Sequence, residues 1–388
     1  MVLGFGKSGQ AAKKLLERKG MEVVAVDRKG EEGAIREEEA SFEKVELMVV
    51  SPGIRMDHPL IERGKKEGVE IVGEMELALR EVGQRAVGIT GTNGKTTTTL
   101  LTTHLLNEAG VKAEAVGNIG KPLSEAVLEG KEGVLVIEMS SFQLETLTTK
   151  KLAVGVILNI TANHLDWHGS FDRYAEAKLR MGQIAEKLFV SDEVFQSYQI
   201  GKRWEGVAGI EERSYTHRLH KQNVEAAFAI CKSLGARPHL AALSSFVKPK
   251  HRLEWIANVA GVDYVDDSKA TSVDAVRHAV EVMGKKRVIL LAGGVEKGGS
   301  YAPWASWFKG KVEAIFAFGQ AGPRIEKEVG ESVEVICAAK MVDALEAAKK
   351  RAKEGEVILL SPGGASYDEF KSYEHRGEVF QTIVKGWR

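Results

Sequence analysis

Three times along the chain an apolar run ends in a polar, glycine-bearing turn, and a helical period follows. Val2-Leu3 runs into Gly4-Phe5-Gly6-Lys7-Ser8-Gly9, after which an amphipathic helix is predicted through Lys19. Residues 22–26 and 47–50 read as two more strands, one stopping at Asp27 and the other running into Ser51-Pro52-Gly53. The pattern recurs at 85–99, RAVGITGTNGKTTTT, as a strand end, a turn over 91–96 and a helix over 97–106. Residues 134–137 are apolar without a break, as in a parallel strand covered on both faces, and they end at Glu138. A strand at 154–158 leads into Asn159-Ile160-Thr161 and a polar turn holding His164 and His168, and helices are predicted around 174–180 and over 223–234. Residues 183–215 are charged and show no clear period. Alternation resumes after VKPKHR at 247–252, with strands at 262–266, 287–292, 313–318 and 357–360 and helices at 274–283 and 341–352.

Strands alternating with helices predict an α/β protein of parallel sheets. Breaks in the pattern divide it into three domains, 1–84, 85–247 and 248–388: a Rossmann-like first domain, a P-loop ATPase-like central domain and a Rossmann-like third. Ligands of such sheets sit at the carboxyl ends of strands, where the polar turns fall.

The central turn carries the most chemistry. Gly91-Thr92-Asn93-Gly94-Lys95-Thr96 offers backbone N–H groups, a helix N-terminus, a lysine and a magnesium-binding hydroxyl, the parts of a nucleoside triphosphate phosphate loop. It departs from the strict GxxxxGK[ST] pattern at its first glycine, where Ile89 stands. Glu138, at the tip of a buried strand downstream, is placed to reach the nucleotide's Mg²⁺. The first turn is a GxGxxG with Asp27 following, the dinucleotide fingerprint. In the third domain Asp267, Lys269, Glu296 and Lys297 crowd strand ends, and the two lysines suit an anionic substrate.

Composition narrows the partners. Lysine plus arginine and aspartate plus glutamate each number 54, so no basic face for nucleic acid is expected. Two cysteines, Cys231 and Cys337, lie far apart; a reducing, cytoplasmic setting follows, and cysteine-bound zinc is not expected. No apolar run approaches the ~18 residues of a membrane span, and no leader is expected. Three functions compete: an ATP-dependent ligase or kinase, a nicotinamide-dependent oxidoreductase using residues 4–9, and an ATPase switch. The oxidoreductase leaves the central loop and Glu138 unexplained; the switch leaves the charged strand ends of the third domain unexplained.

The motifs also resemble, over essentially the whole chain, the Mur ligases of peptidoglycan synthesis. The shared stretches are GTNGKT (91–96), GNIG (117–120), E-x-SSFQLE (138–145), N-x-T-x-x-HLD-x-H (159–168), AKLR (177–180), HR-x-E (251–254), DSKAT (267–271) and SP-x-x-AS-x-D-x-F (361–370). HR-x-E and DSKAT point to the D-glutamate-adding branch, and the DNP motif usual in the diaminopimelate- or lysine-adding branch is missing. A sibling ligase or a folylpolyglutamate-synthase-like ligase is the alternative.

The resemblance implies that ATP phosphorylates the carboxylate of UDP-N-acetylmuramoyl-L-alanine and that the amine of D-glutamate attacks the acyl phosphate. It implies nucleotide contacts from Gly91, Thr92, Asn93, Gly94, Lys95, Thr96, Thr97, Asn223, Arg252 and Asp267, with Lys95, His164 and Lys178 catalytic. Two Mg²⁺ ions are implied, one held by Thr96 and Glu138, the other by His164 and a carbamylated Lys178. UDP-substrate contacts fall on Ser8, Asp27, Arg28, Ser51, Pro52, Gly53 and Asn118, and D-glutamate contacts on Lys269, Thr271, Lys297, Ser366 and Tyr373. The GxGxxG is thereby reassigned to a uridine diphosphate, the partners are these small molecules alone, and a monomer is expected. The chain departs from the family at His220, where Asn is usual, at Glu296 for Asp, at Tyr373 for Phe, and in SPGGAS, where glycine replaces a cysteine and leaves a smaller anchor.

Overall fold

The computed structural model describes residues 1–30, 33–204, 221–247, 249–296 and 300–387. Its strands form three sheets. The first holds β1 (Val2–Leu3), β2 (Ala25–Asp27), β3 (Ile35–Arg36), β4 (Leu47–Val50) and β5 (Glu70–Gly73) in the order β3-β2-β1-β4-β5, all parallel. The second holds β6 (Arg85–Thr90), β7 (Ala113–Gly117), β8 (Val134–Glu138), β9 (Leu152–Ile157), β10 (Ala185–Val190) and β11 (Lys202–Arg203) in the order β11-β10-β9-β6-β8-β7, also parallel. The third holds β12 (Glu254–Val259), β13 (Val262–Asp266), β14 (Val288–Gly293), β15 (Val312–Phe318), β16 (Val335–Ala338) and β17 (Val357–Gly363). Its order is β12-β13-β17-β14-β15-β16, parallel except for the β12–β13 hairpin.

The α/β reading therefore holds, with corrections. The aperiodic stretch from 183 contains β10, a helix Asp192–Tyr198 and β11. Its period was hidden because Glu186 and Lys187 of β10 are exposed. The polar turn after β9 closes into a helical turn, Leu165–His168, with His164 as its N-cap in a left-handed conformation (φ 54°).

The chain forms two compact units, 1–160 with 172–246, and 161–171 with 247–388. In the first, the two sheets share one apolar core: Leu15 and Leu16 of the helix Lys7–Arg18 and Leu77 and Leu79 of the helix Glu74–Glu81 cluster with Leu123 and Ala126 of the helix Leu123–Glu129. In the second unit, alternate residues of β14 serve opposite faces, Ile289 and Leu291 in one core, Leu290 and Ala292 in the other, the period-two signature of a strand.

A buried carboxylate reinforces the seam of the first unit. Glu76 accepts hydrogen bonds from the backbone N–H groups of Thr148 and Thr149 (2.9 and 3.1 Å), from both their hydroxyls (2.9 and 2.7 Å), and from Arg80 Nε (3.1 Å). Burial alone would raise its pKa, but the donors of Thr148 and Thr149 outweigh that and hold it at about 2. A carboxyl depressed on folding contributes stability above its unfolded pKa and loses it as pH falls through the folded value. The contribution is on the order of 3 kcal/mol. Glu76→Gln is accordingly expected to lower the thermal midpoint at pH 7 and to flatten its pH dependence between about 4.5 and about 2, measured by calorimetric scans. An unchanged pH profile in the variant would refute the assignment.

Candidate active site

β6 ends at Thr90 and the helix Lys95–Glu108 starts after Gly94. The loop between them therefore lies at the carboxyl end of a central strand. Gly94 is left-handed (φ 83°), and a Cβ there would sit 2.5 Å from Asn223 Oδ1, so the position admits only glycine. Asn159, just beyond β9, clamps the loop. Its Oδ1 accepts from Asn93 N (2.8 Å), its Nδ2 donates to Asn93 O (3.2 Å), and its backbone carbonyl accepts from Thr92 N (3.0 Å). The hydroxyls of Thr92 and Tyr174 lie 2.8 Å apart. Lys95 Nζ donates to the carbonyls of Gly91 and Thr92, each at 2.9 Å. The loop's carbonyls thus hold the lysine beside the positive end of a 14-residue helix, an arrangement suited to phosphate. Thr96 is half-buried and Thr97 buried in the first turn of that helix.

A second lysine converges on the same carbonyl. Lys178 Nζ donates to Gly91 O at 2.9 Å and lies 4.7 Å from the centroid of the Tyr174 ring. The residue is 1% exposed. Burial and then the charge of Lys95 push its pKa well below the usual lysine range, while Glu138 opposes them. Two cations cannot share one buried carbonyl cheaply, and the enclosed one is the one to lose its proton.

Glu138, 3% exposed, accepts from Asn118 Nδ2 at 2.9 Å through Oε1. Its Oε2 is buried with no hydrogen-bond partner among the described residues. A buried carboxylate oxygen left open in this way is a ready ligand for a hard dication. Asn118, matched by resemblance to the UDP-substrate, here orients that carboxylate.

In the first sheet, Asp27 uses both oxygens on backbone, accepting from Phe5 N (2.9 Å) and Lys29 N (3.0 Å). These bonds, that of Phe5 first, depress its pKa. Ser51 donates to Gly4 O at 2.8 Å. The GxGxxG turn and the Ser51-Pro52-Gly53 turn are thereby joined. Ser8 and Pro52 are half-buried beside them, and Arg28 and Gly53 are exposed.

The second unit carries His164, Arg252, Asp267, Lys269, Thr271, Ser366 and Tyr373. Burial raises the Asp267 carboxyl to about 7, against the lowering by the Ser361 hydroxyl, the Arg252 charge and the Leu253 amide. Its oxygens accept from Leu253 N (3.1 Å) and Ser361 Oγ (3.0 Å). Lys269 Nζ lies 3.7 Å from the Tyr373 ring centroid, a cation–π contact. Thr271 is half-buried and Ser366 is buried. Lys297 and His220 lie outside the described residues. The SPGGAS loop is not loosened by its glycines. A Cβ on Gly364 would lie 2.7 Å from Gly293 O, and Ala365 forms a bridge with Val295, so backbone takes the place of the expected side-chain anchor.

Several site residues were not assigned from sequence. Asn159 sits inside a quoted motif without a role. Tyr174 precedes Lys178 by one helical turn, so a lysine on the apolar face of its helix was a readable signal. Arg376 is fully buried and donates to Ser268 Oγ (3.0 Å), Ser268 O (2.8 Å) and the carbonyls of Gly364 (3.2 Å) and Ala365 (3.4 Å). It ties the DSKAT turn to the SPGGAS loop; burial lowers its pKa to about 10.

A parallel sheet whose central strand opens into a glycine-rich loop, a lysine and a helix N-terminus defines a phosphate-loop nucleotide-binding protein. The Mur ligase middle domain matches residues 89–252, and the Mur ligase glutamate ligase domain matches residues 251–364. A UDP-N-acetylmuramoylalanine–D-glutamate ligase of Protochlamydia amoebophila (strain UWE25) is 37% identical, over 99% of this chain and 97% of the relative. One from Aquifex aeolicus (strain VF5) is 34% identical, over 100% and 98%. Among solved structures, MurF ligase from Thermotoga maritima in complex with ADP aligns with TM-score 0.62 and 16% identity, covering 90% of this chain and 97% of that one. UDP-N-acetylmuramate-alanine ligase MurC from the same organism aligns with TM-score 0.60 and 18% identity, over 100% and 99%. The chain belongs to the Mur ligase family.

Proposed function

We propose that this protein uses ATP to join D-glutamate to the terminal carboxylate of UDP-N-acetylmuramoyl-L-alanine, in the synthesis of peptidoglycan precursors. What carries the reading is full-length similarity to ligases of that name, in a chain where Lys95 and the buried Lys178 meet at one loop carbonyl. In the reaction a carboxylate oxygen takes the γ-phosphoryl group and ADP leaves. The amine of D-glutamate then attacks the acyl carbon, the tetrahedral adduct expels phosphate, and the amine's proton passes to solvent. Several anions must meet, so the protein's task is to neutralise and align them and to keep water from the acyl phosphate.

Lys95 and the N–H groups of residues 94–97 hold the phosphates, while Thr92 and Asn93 have theirs taken by Asn159 and serve the nucleotide by shaping the loop with Gly91; Asn223, Arg252 and Asp267 lie on the rest of the nucleotide. Thr96 and Glu138 would hold one Mg²⁺, consistent with the open Glu138 oxygen, and His164 with a carbamylated Lys178 a second. The ions would supply charge neutralisation between phosphate and carboxylate oxygens. The depressed pKa of Lys178 favours the neutral amine that adds CO₂ and releases a proton to give the carbamate. Ser8, Asp27, Arg28, Ser51–Gly53 and Asn118 serve the UDP-substrate; Lys269, Thr271, Lys297, Ser366 and Tyr373 serve D-glutamate. The reading assigns these tasks to domains bounded near residues 84 and 247, in a cytoplasmic monomer. Among the described residues no helix is long and apolar enough to cross a membrane.

The test is phosphate release with ATP, Mg²⁺ and UDP-N-acetylmuramoyl-L-alanine, each amino acid offered singly. Release with D-glutamate is expected; release with L-lysine or diaminopimelate instead would move the chain to a sibling activity. Ser366→Ala is expected to raise the KM for D-glutamate on the order of 10-fold, with the KM for ATP nearly unchanged, because a dicarboxylate loses a donor. An equal rise in both would refute the assignment.

A further inference from the structure

Arg252 sits between two residues in the left-handed region, His251 (φ 60°) and Leu253 (φ 48°). Neither is glycine, and each such backbone conformation is strained for a residue with a Cβ. A turn of this kind persists only where its surroundings hold it. Here the grip comes from side chains beneath it. Glu254 Oε2 accepts from His251 N (3.0 Å), Asp267 Oδ1 from Leu253 N (3.1 Å), and the His251 carbonyl from Lys269 N (3.1 Å). The His251 ring meets Asp266 through Nδ1 and Oδ2 at 2.7 Å. His251 is 3% exposed and Asp266 0%.

The carboxylates of Glu254 and Asp266 lie with the imidazole in one cluster, their oxygens within 4.8 Å of each other. Two carboxylates that close repel unless donors stand between them. His251 bonds both of them, and Gln381, reaching in from the C-terminal helix Tyr373–Lys385, adds one side-chain amide that spans the same two oxygens. Its Nε2 donates to Asp266 Oδ2 at 2.8 Å and to Glu254 Oε2 at 3.1 Å. The amide's orientation is fixed from the other side, because Lys385 Nζ donates to its Oε1 at 3.2 Å. Gln381 is also buried, 9% exposed as a residue. On the same helix Gly377 makes room for the ring: a Cβ there would lie 2.1 Å from His251 Nδ1. The cluster is therefore no vacant cation site; its facing oxygens are already spanned by one amide.

We propose that Gln381 is a positioning residue for nucleotide binding, bridging Glu254 and Asp266 so that the strained 251–254 turn presents Arg252. The inference rests on the reading of Arg252 as a nucleotide contact. Without the amide the carboxylates separate, the turn relaxes toward ordinary backbone, and Arg252 loses its fixed direction.

The test uses the full chain and four variants. Gln381→Met keeps the length of the side chain and removes its donors. It is expected to raise the KM for ATP, and the dissociation constant for ADP, about 10-fold, with kcat within about threefold and the KM for D-glutamate within about twofold. Gln381→Glu, which adds a third carboxylate, is expected to weaken nucleotide binding further. Lys385→Ala, at an exposed position, releases the amide without touching the core and is expected to give a smaller change in the same direction. This mild variant keeps the proposal testable if a core variant fails to fold. Arg252→Met reports on the underlying assignment. Nucleotide binding weakened by Arg252→Met but unchanged in Gln381→Met and Lys385→Ala would overturn the positioning role alone. Binding unchanged in all four would overturn the Arg252 assignment with it. KM values for all substrates rising together in Gln381→Met would show a general packing defect and overturn the proposal.

Discussion

Replacing Lys178 by alanine is expected to lower turnover by ~10²-fold or more if, as proposed, its carbamate is a metal-ligating anion in a buried site. An ordinary lysine is a cation at neutral pH and repels Mg²⁺. This one is 1% exposed, bonded to the Gly91 carbonyl and sharing it with Lys95. Burial and that neighbouring charge favour the neutral amine, the form that captures CO₂. The proposed carbamate would be an anion, which the same neighbour would stabilise. Gentle native mass measurement of the intact protein is expected to find about 44 Da of additional mass, the mass of CO₂, that is absent from Lys178→Ala. A small carboxylate should partly restore the alanine variant by filling the vacated space. Wild-type rates in Lys178→Ala would dispose of the role.

Lys95→Ala is expected to reduce kcat on the order of 10²-fold or more while leaving UDP-substrate affinity nearly intact. The two sites lie on different sheets. Lys95 opens the helix after β6 of the second sheet, whereas the GxGxxG turn follows β1 of the first. Its ammonium is already held over the loop by the Gly91 and Thr92 carbonyls, so phosphate binding needs a short redirection of one side chain. Calorimetry with the UDP-substrate checks the division of labour, and phosphate release checks the rate. Near-normal turnover would refute the phosphate-loop assignment; lost UDP-substrate binding would refute the separation of sites.

What could be read from the sequence follows from where each strand lies in its sheet. β8 and β14, flanked on both sides and covered on both faces, are unbroken apolar runs, and they were legible. Of the strands not recognised, β3, β5, β7, β11, β12 and β16 are edge strands, and β10 is internal but hidden by its exposed Glu186 and Lys187. Edges carry charged or exposed residues, such as Glu70, Glu114, Lys202 and Trp255, which protect an open row of backbone groups and erase the apolar pattern.

The site divides in a similar way. Residues that act through backbone conformation leave motifs, so Gly91 to Thr96 could be read. Residues that act by reaching across the fold leave none. Asn159 clamps Asn93 from 66 positions away, and Gln381 meets Asp266 across 115. No local spacing announces such a partner. Lys178 lay between: the resemblance named it, and burial together with the charge of Lys95 explains why a lysine there can lose its charge.

The measurement that tests the account most directly follows oxygen. UDP-N-acetylmuramoyl-L-alanine labelled with ¹⁸O in both oxygens of its terminal carboxylate is turned over with ATP, Mg²⁺ and D-glutamate, and the phosphate and amide product are weighed. An acyl phosphate requires one labelled oxygen to leave with phosphate and the other to remain in the new amide. Unlabelled phosphate would mean that ATP is cleaved by water, and would contradict the proposed ligase chemistry.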